Sequence, residues 1–175
     1  MHCSVAQCLE LVGEWWTLLI VRDAFLGVCR FDQFQERLGI SRNVLNQRLT
    51  TLVEAGILDK IPYSEHPPRH EYQLTAKGRD LWPVLATMGQ WGDKWAAPDG
   101  PPVKLIHEGC GKVTTIVSTC SRCGERLTEG DVRPVDGPGA RDGLLTVAHL
   151  RHRPGTPRSA ASPGTGTRPA GPRGA

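Results

Sequence analysis

The sequence predicts a mainly α domain closed by a β-hairpin, then a small β-rich unit and a disordered tail. Three observations carry this. Apolar residues recur at three- and four-residue steps in four segments between residues 4 and 54, and again over 81–95, the period of a helix with one buried face. Two β-prone runs joined across Pro67 and Pro68 separate the fourth segment from the fifth. Beyond residue 102 the periodicity stops, and the stretch 151–175 has no Leu, Ile, Val or aromatic residue, so it cannot offset the entropy of ordering.

The elements follow in order. Val5, Cys8, Leu9 and Val12 share one face of a first helix over 4–12, ended by Gly13. Residues 15–25 form a second, more apolar helix that stops near Gly27, and Phe31, Phe34 and Leu38 mark a short third, closed by Gly39. Ser41 is a good N-cap for a fourth helix, whose inner face carries Val44, Leu45, Leu49, Leu52 and Val53 and which Gly56 terminates. A strand over 57–63, a loop over 64–69 and a return strand over 71–75 follow. Thr75 caps the last helix, with Leu81, Val84, Leu85, Met88, Trp91 and Trp95 along one side; Pro83 predicts a kink or a restart there. Two short helices joined at Gly39-Ile40 suit a helix-turn-helix, and a hairpin directly after them makes it the winged form. This domain is expected over 1–97, a linker over 98–102, the small unit over 103–136 and the tail over 137–175.

Composition narrows the function. The chain has 175 residues, 39% hydrophobic and 22% charged, a globular balance. Its longest charge-free apolar run near the N-terminus, 15–21, falls short of the roughly 20 residues that span a bilayer. No basic segment precedes it, so neither a membrane span nor a signal peptide is expected, and a reducing, cytoplasmic location follows. The six cysteines then read as metal ligands, reactive thiols or core residues rather than disulfides. The net charge of +3 is uneven: residues 141–175 hold six Arg and one Asp, leaving −2 for the rest. Attraction to nucleic acid must therefore come from a local patch.

Helix four supplies that patch. Its outer positions are Arg42, Asn43, Asn46, Gln47 and Thr50, and no acidic residue lies between Glu36 and Glu54, whereas Arg37, Arg42 and Arg48 do. Arg forks onto guanine, and Asn or Gln pairs with adenine, in the major groove. Ser41, Arg42, Asn43, Asn46 and Gln47 are the candidate DNA-facing set, with Arg48, and with Lys60 and Arg69 on the hairpin, as phosphate contacts. The same face could equally be a solvated helix surface.

These residues resemble the HxlR-type winged helix-turn-helix regulators. The resemblance rests on Cys3-Ser4-Val5-Ala6, Trp16-Thr17-Leu18-Leu19-Ile20, Phe31-Asp32-Gln33-Phe34, Gly39-Ile40-Ser41 and Val44-Leu45-Asn46-Gln47-Arg48-Leu49. It continues through Glu54-Ala55-Gly56-Ile57-Leu58, Pro67-Pro68-Arg69, Glu71-Tyr72, Leu74-Thr75 and Pro83-Val84-Leu85 to Trp91. It covers roughly 3–95 and implies a bacterial, cytoplasmic, homodimeric transcription regulator that binds double-stranded DNA, more often a repressor, with the first and last helices forming the dimer contact. In part of that family a cysteine near the N-terminus senses oxidants or electrophiles. Cys3 matches its position, although Ser4 stands where a proline is usual.

The small unit carries a second pattern. His107 and Cys110, then Cys120 and Cys123, form two pairs, each with two intervening residues and a following glycine, Gly111 and Gly124. Three thiolates and an imidazole make the closed set of a structural zinc site, and the unit resembles a zinc ribbon, with 113–118 suited to a hairpin strand. Units this small usually need a metal or disulfides to fold. The competing reading is a redox pair of Cys120 and Cys123, which would normally open a helix in a βαβ unit.

The expected function is a sequence-specific DNA-binding regulator. A dimeric protein–protein adaptor on the same scaffold is the alternative, and a CxxC thiol oxidoreductase the weakest. No Ser–His–Asp set, glycine-rich phosphate loop or paired carboxylates point to an enzyme.

Overall fold

The computed structural model describes residues 3–140; the tail expected over 137–175 lies outside them from residue 141 on. The chain divides into two compact units, one ending at Arg126 and one beginning at Leu127. The first opens with α1 (Ser4–Val12), α2 (Trp15–Phe25), α3 (Phe31–Leu38) and α4 (Arg42–Glu54), the four helices that the apolar periods predict. Gly39 closes α3 in the left-handed conformation at φ 62°, where a Cβ would strain the backbone. Ile40 is buried beside it, and Ser41 caps α4, its Oγ accepting from the Val44 amide at 3.4 Å.

The core forms where these helices meet the hairpin. Ile20 and Val21 of α2, Phe34 of α3, and Leu45, Leu49 and Leu52 of α4 are buried with Ile57 and Leu58. Burying one such side chain stabilises by about 1.5–3 kcal/mol, so three leucines on one face hold the rotation of α4. Asp23 of α2 is fully buried, and its carboxylate pairs with Arg22 (2.8 Å) and with Arg37 of α3 (3.3 Å).

Strands β1 (Leu58–Glu65) and β2 (Pro68–Leu74) are antiparallel, from Leu58 opposite Leu74 to Glu65 opposite Pro68, with one irregularity between Pro62 and Ser64. The loop expected over 64–69 is therefore only His66 and Pro67. Pro68 lacks an N–H but stands first in its strand, where it is tolerated, so the two prolines did not end the pairing. Residue 30 bridges Glu71, and the Tyr72 amide donates to the Cys29 carbonyl at 2.7 Å, adding the α2–α3 connection to the sheet.

Thr75 caps the short α5 (Ala76–Arg79), its Oγ accepting from the Gly78 amide at 3.0 Å while donating to the Gly56 carbonyl at 2.7 Å. The chain then restarts as α6 (Trp82–Trp95) with Pro83 in its first turn, the restart that the proline predicts. Beyond it, β3 (Leu105–His107) pairs with β4 (Lys112–Thr114); the strand expected over 113–118 ends at Thr114. In the second unit, Thr128 and Asp131 cap a single 3₁₀ turn at Glu129–Asp131, the Thr128 amide donating to the carboxylate at 2.7 Å. No single helix among the described residues is long and apolar enough to cross a membrane.

Candidate nucleic-acid interface

The helical period of α4 sorts its side chains. Leu45, Leu49 and Leu52 point inward, while Arg42, Asn43, Asn46, Gln47 and Thr50 are exposed. Ser41 is exposed too, although its hydroxyl is engaged by the cap. At the helix start, the Arg42 guanidinium lies 5.2 Å over the Phe31 ring and donates to Gln35 Oε1 at 3.5 Å. Both neighbours belong to α3, so the helix-turn-helix itself orients this arginine.

A cleft of about 370 Å³ separates α3 and α4 from the wing, and Arg30, Arg42, Arg69 and His70 all line it. Arg69 lies opposite Ser64 near the wing tip, exposed. Lys60, opposite Tyr72 in mid-strand, is exposed but outside the cleft. The cleft thus has Arg42 of α4 on one side and Arg69 of the wing on the other, with Asp32 of α3 also lining it.

Arg48 is placed differently from the other seven. Its Nη2 donates to Glu14 Oε2 at 3.0 Å, its side chain is only 20% exposed, and its Nε is buried without a partner. Arg48 stands three residues after Leu45 and four before Leu52, hence on the inner shoulder of the helix. The structure ties α4 to the α1–α2 corner through it.

Arg30 escaped the sequence reading. It is exposed, donates to Glu71 Oε1 from Nε and Nη2 (3.2 and 3.1 Å), and stacks 4.7 Å from the Tyr63 ring centroid. Its partner is 41 residues away, and no local pattern signals the pairing. Nearby, burial and the Glu71 carboxylate push the Cys29 thiol above its ordinary value, with Arg30 acting against them. Cys8 packs against the core, and Cys3 is half-buried at the start of α1.

A second exposed surface is apolar. No residue of α6 is fully buried, and Val84, Met88, Trp91 and Trp95 recur along it, Trp91 63% and Trp95 66% exposed. Val5 and Leu9 of α1 and Trp15 of α2 are exposed as well.

The four sulfur and imidazole groups of the small module stand as two pairs. His107 Nδ1 lies 3.4 Å from Cys110 Sγ. Cys120 Sγ accepts from the Arg122 amide at 3.5 Å, and the amides of Cys123 and Arg122, with the Cys123 side chain, hold the Cys120 thiol below its ordinary value. Among the described residues, no three His, Cys, Asp or Glu side chains are gathered tightly enough to enclose an ion.

Comparison with known proteins bears on the same segments. The family model described as HxlR-like helix-turn-helix matches residues 11–100. An uncharacterized HTH-type transcriptional regulator of Mycobacterium tuberculosis is 51% identical over 82% of this chain and 91% of its own length. One from Synechocystis is 38% identical over 59% of this chain and 78% of its own. Among solved structures, PA1607, described as a candidate transcription factor, aligns with a TM-score of 0.69 at 39% identity, covering 77% of this chain and 95% of that one. PA1374 of Pseudomonas aeruginosa, described likewise, gives 0.59 at 39% identity over 80% and 96%.

Proposed function

The chain belongs to the HxlR-like helix-turn-helix family, and from that premise we propose that it is a sequence-specific DNA-binding transcription regulator, a cytoplasmic homodimer that acts as a repressor. The observation that carries the DNA reading is the sorting of α4, with Arg42, Asn43, Asn46 and Gln47 exposed together on the side opposite its three buried leucines. A helix in the major groove reads base edges with these side-chain types. Arg69 and Lys60 on the wing take phosphates, as does the positive end of α4, where no acidic residue occupies the first turn. Arg48 is left out of the contact set because Glu14 already engages it.

The dimer reading is supported by the apolar stripe of α6. Positions 84, 88, 91 and 95 fall on one helix face, and so much exposed aromatic and aliphatic surface marks a contact. Two copies present two recognition helices, which address half-sites one helical turn apart or a multiple of it. Repression needs nothing beyond occupancy, since a dimer covering an operator blocks the polymerase. The small-molecule or oxidant effector is left open, and Cys3 sensing is one form of it.

Selection of bound duplexes from a random pool tests this reading. An inverted-repeat motif is expected. A pool that enriches no motif would reject DNA recognition and leave the dimeric adaptor.

A further inference from the structure

We propose that His107, Cys110, Cys120 and Cys123 bind one zinc ion per chain, as a structural site that orders the module between α6 and Arg126. The proposal does not depend on DNA binding.

The first argument is what the module lacks. Strands β3 and β4 have three residues each, all exposed, and no residue from 103 to 126 is buried. A segment without a core has no hydrophobic reason to hold a fold, and small units of this kind use a metal instead. Its anchor to the winged domain is polar: Gln90 of α6 donates from Nε2 to the Ile116 carbonyl at 3.1 Å and accepts from its amide at 2.8 Å.

The second argument is the shape of each pair. In the first, the amides of Cys110 and Gly111 both donate to the His107 carbonyl, at 3.1 and 2.8 Å, and Gly111 turns left-handed at φ 65°. In the second, the Gly124 amide donates to the Cys120 carbonyl at 2.8 Å, and Gly124 turns the same way at φ 76°. Two segments of different sequence thus make one tight turn, each delivering two ligand side chains from its ends. The Arg122 amide aimed at Cys120 Sγ is the kind of outer contact that steadies a metal-bound thiolate.

The third argument is the donor spacing. A tetrahedral zinc with Zn–S about 2.3 Å and Zn–N about 2.0 Å sets those two donors about 3.5 Å apart. His107 Nδ1 and Cys110 Sγ are already at 3.4 Å. Glycine at residue 109 leaves room for the ring there, since a Cβ would come within 2.9 Å of His107 Cε1. The first pair is thus spaced for one ion, and since no three such side chains are gathered among the described residues, the ion's part is to bring the second pair to it. Three thiolates and one imidazole close the coordination shell, which makes the site structural rather than catalytic.

The test uses the full chain purified under reducing conditions. Metal analysis should find one zinc per chain. Cobalt(II) in its place should show the visible bands of a tetrahedral thiolate site. His107→Ala, Cys110→Ser, Cys120→Ser and Cys123→Ser should each weaken cobalt binding more than about 100-fold, a first ligand mattering more than its outer contacts. Helical circular dichroism should persist in all four, because none touches the winged core, and Gln90→Ala should keep its metal. Zinc should also protect Cys110, Cys120 and Cys123 from alkylation until a chelator is added. Absence of metal, half an equivalent per chain, cobalt binding that survives His107→Ala or Cys110→Ser, or a Cys120–Cys123 disulfide in the reduced preparation would each overturn the proposal.

Discussion

Arg42 gives the sharpest handle on DNA recognition. In the free protein its guanidinium rests 5.2 Å over the Phe31 ring and reaches Gln35 Oε1 at 3.5 Å. A cation over a ring at the protein surface is worth about 0.5–1 kcal/mol, and an arginine otherwise carries about 2 kcal/mol of rotamer entropy. The platform thus offsets part of the cost of ordering the side chain before a base is met. Arg42→Ala should weaken specific binding by about 1–3 kcal/mol, the range for a bidentate base contact, or about 5- to 150-fold. Phe31→Leu keeps an apolar side chain against the core but removes the ring, and should cost about 0.5–1 kcal/mol. In the Arg42→Ala background the same change should cost nothing. The assay is fluorescence anisotropy on the selected duplex at one fixed salt concentration, run on all four members of the cycle. Unchanged affinity and base preference in Arg42→Ala would refute the base contact. An undiminished effect of Phe31→Leu in that background would refute the platform.

Four further outcomes follow from the same geometry. Arg69→Ala and Lys60→Ala should each lower the slope of log affinity against log salt by about one while leaving the selected motif unchanged; a changed motif would make them base readers. Trp91→Glu, on the exposed face of α6, should give a monomer in analytical ultracentrifugation and lose the preference for paired half-sites; a persistent dimer would move the interface elsewhere. Leu45→Ala, fully buried in the first turns of α4, should lower unfolding free energy by about 2–5 kcal/mol in urea titrations. Arg48→Ala should reduce stability and leave the salt slope unchanged, because its partner is Glu14; a reduced slope would restore it as a phosphate contact.

The helices were legible because each signal is local. The apolar period, the glycines at 13, 39 and 56, and the hydroxyls of Ser41 and Thr75 each act within one turn of chain, and α1 through α4 begin and end where those signals place them. The wing was legible as a hairpin but not in length: prolines at 67 and 68 suggest a loop, yet Pro68 occupies a strand position that needs no donor. Within the site, the outward set of α4 could be read from spacing alone. Spacing also placed Arg48 beside Leu45 and Leu52, a warning that charge and count alone conceal. Arg30 was not legible, because its meaning depends on Glu71 and Tyr63 arriving from the wing. The contacts of Gln90 with Ile116 join segments that no local pattern connects.

The claim that the outer side chains of α4 read bases is tested most directly by repeating the random-duplex selection with Asn46→Ala and Gln47→Ala beside the unaltered protein. Both residues are exposed and away from the core, so folding should be unaffected. The account predicts that each variant loses base preference at one symmetry-related pair of positions and keeps the remainder of the motif. Motifs identical to that of the unaltered protein in both variants would contradict it.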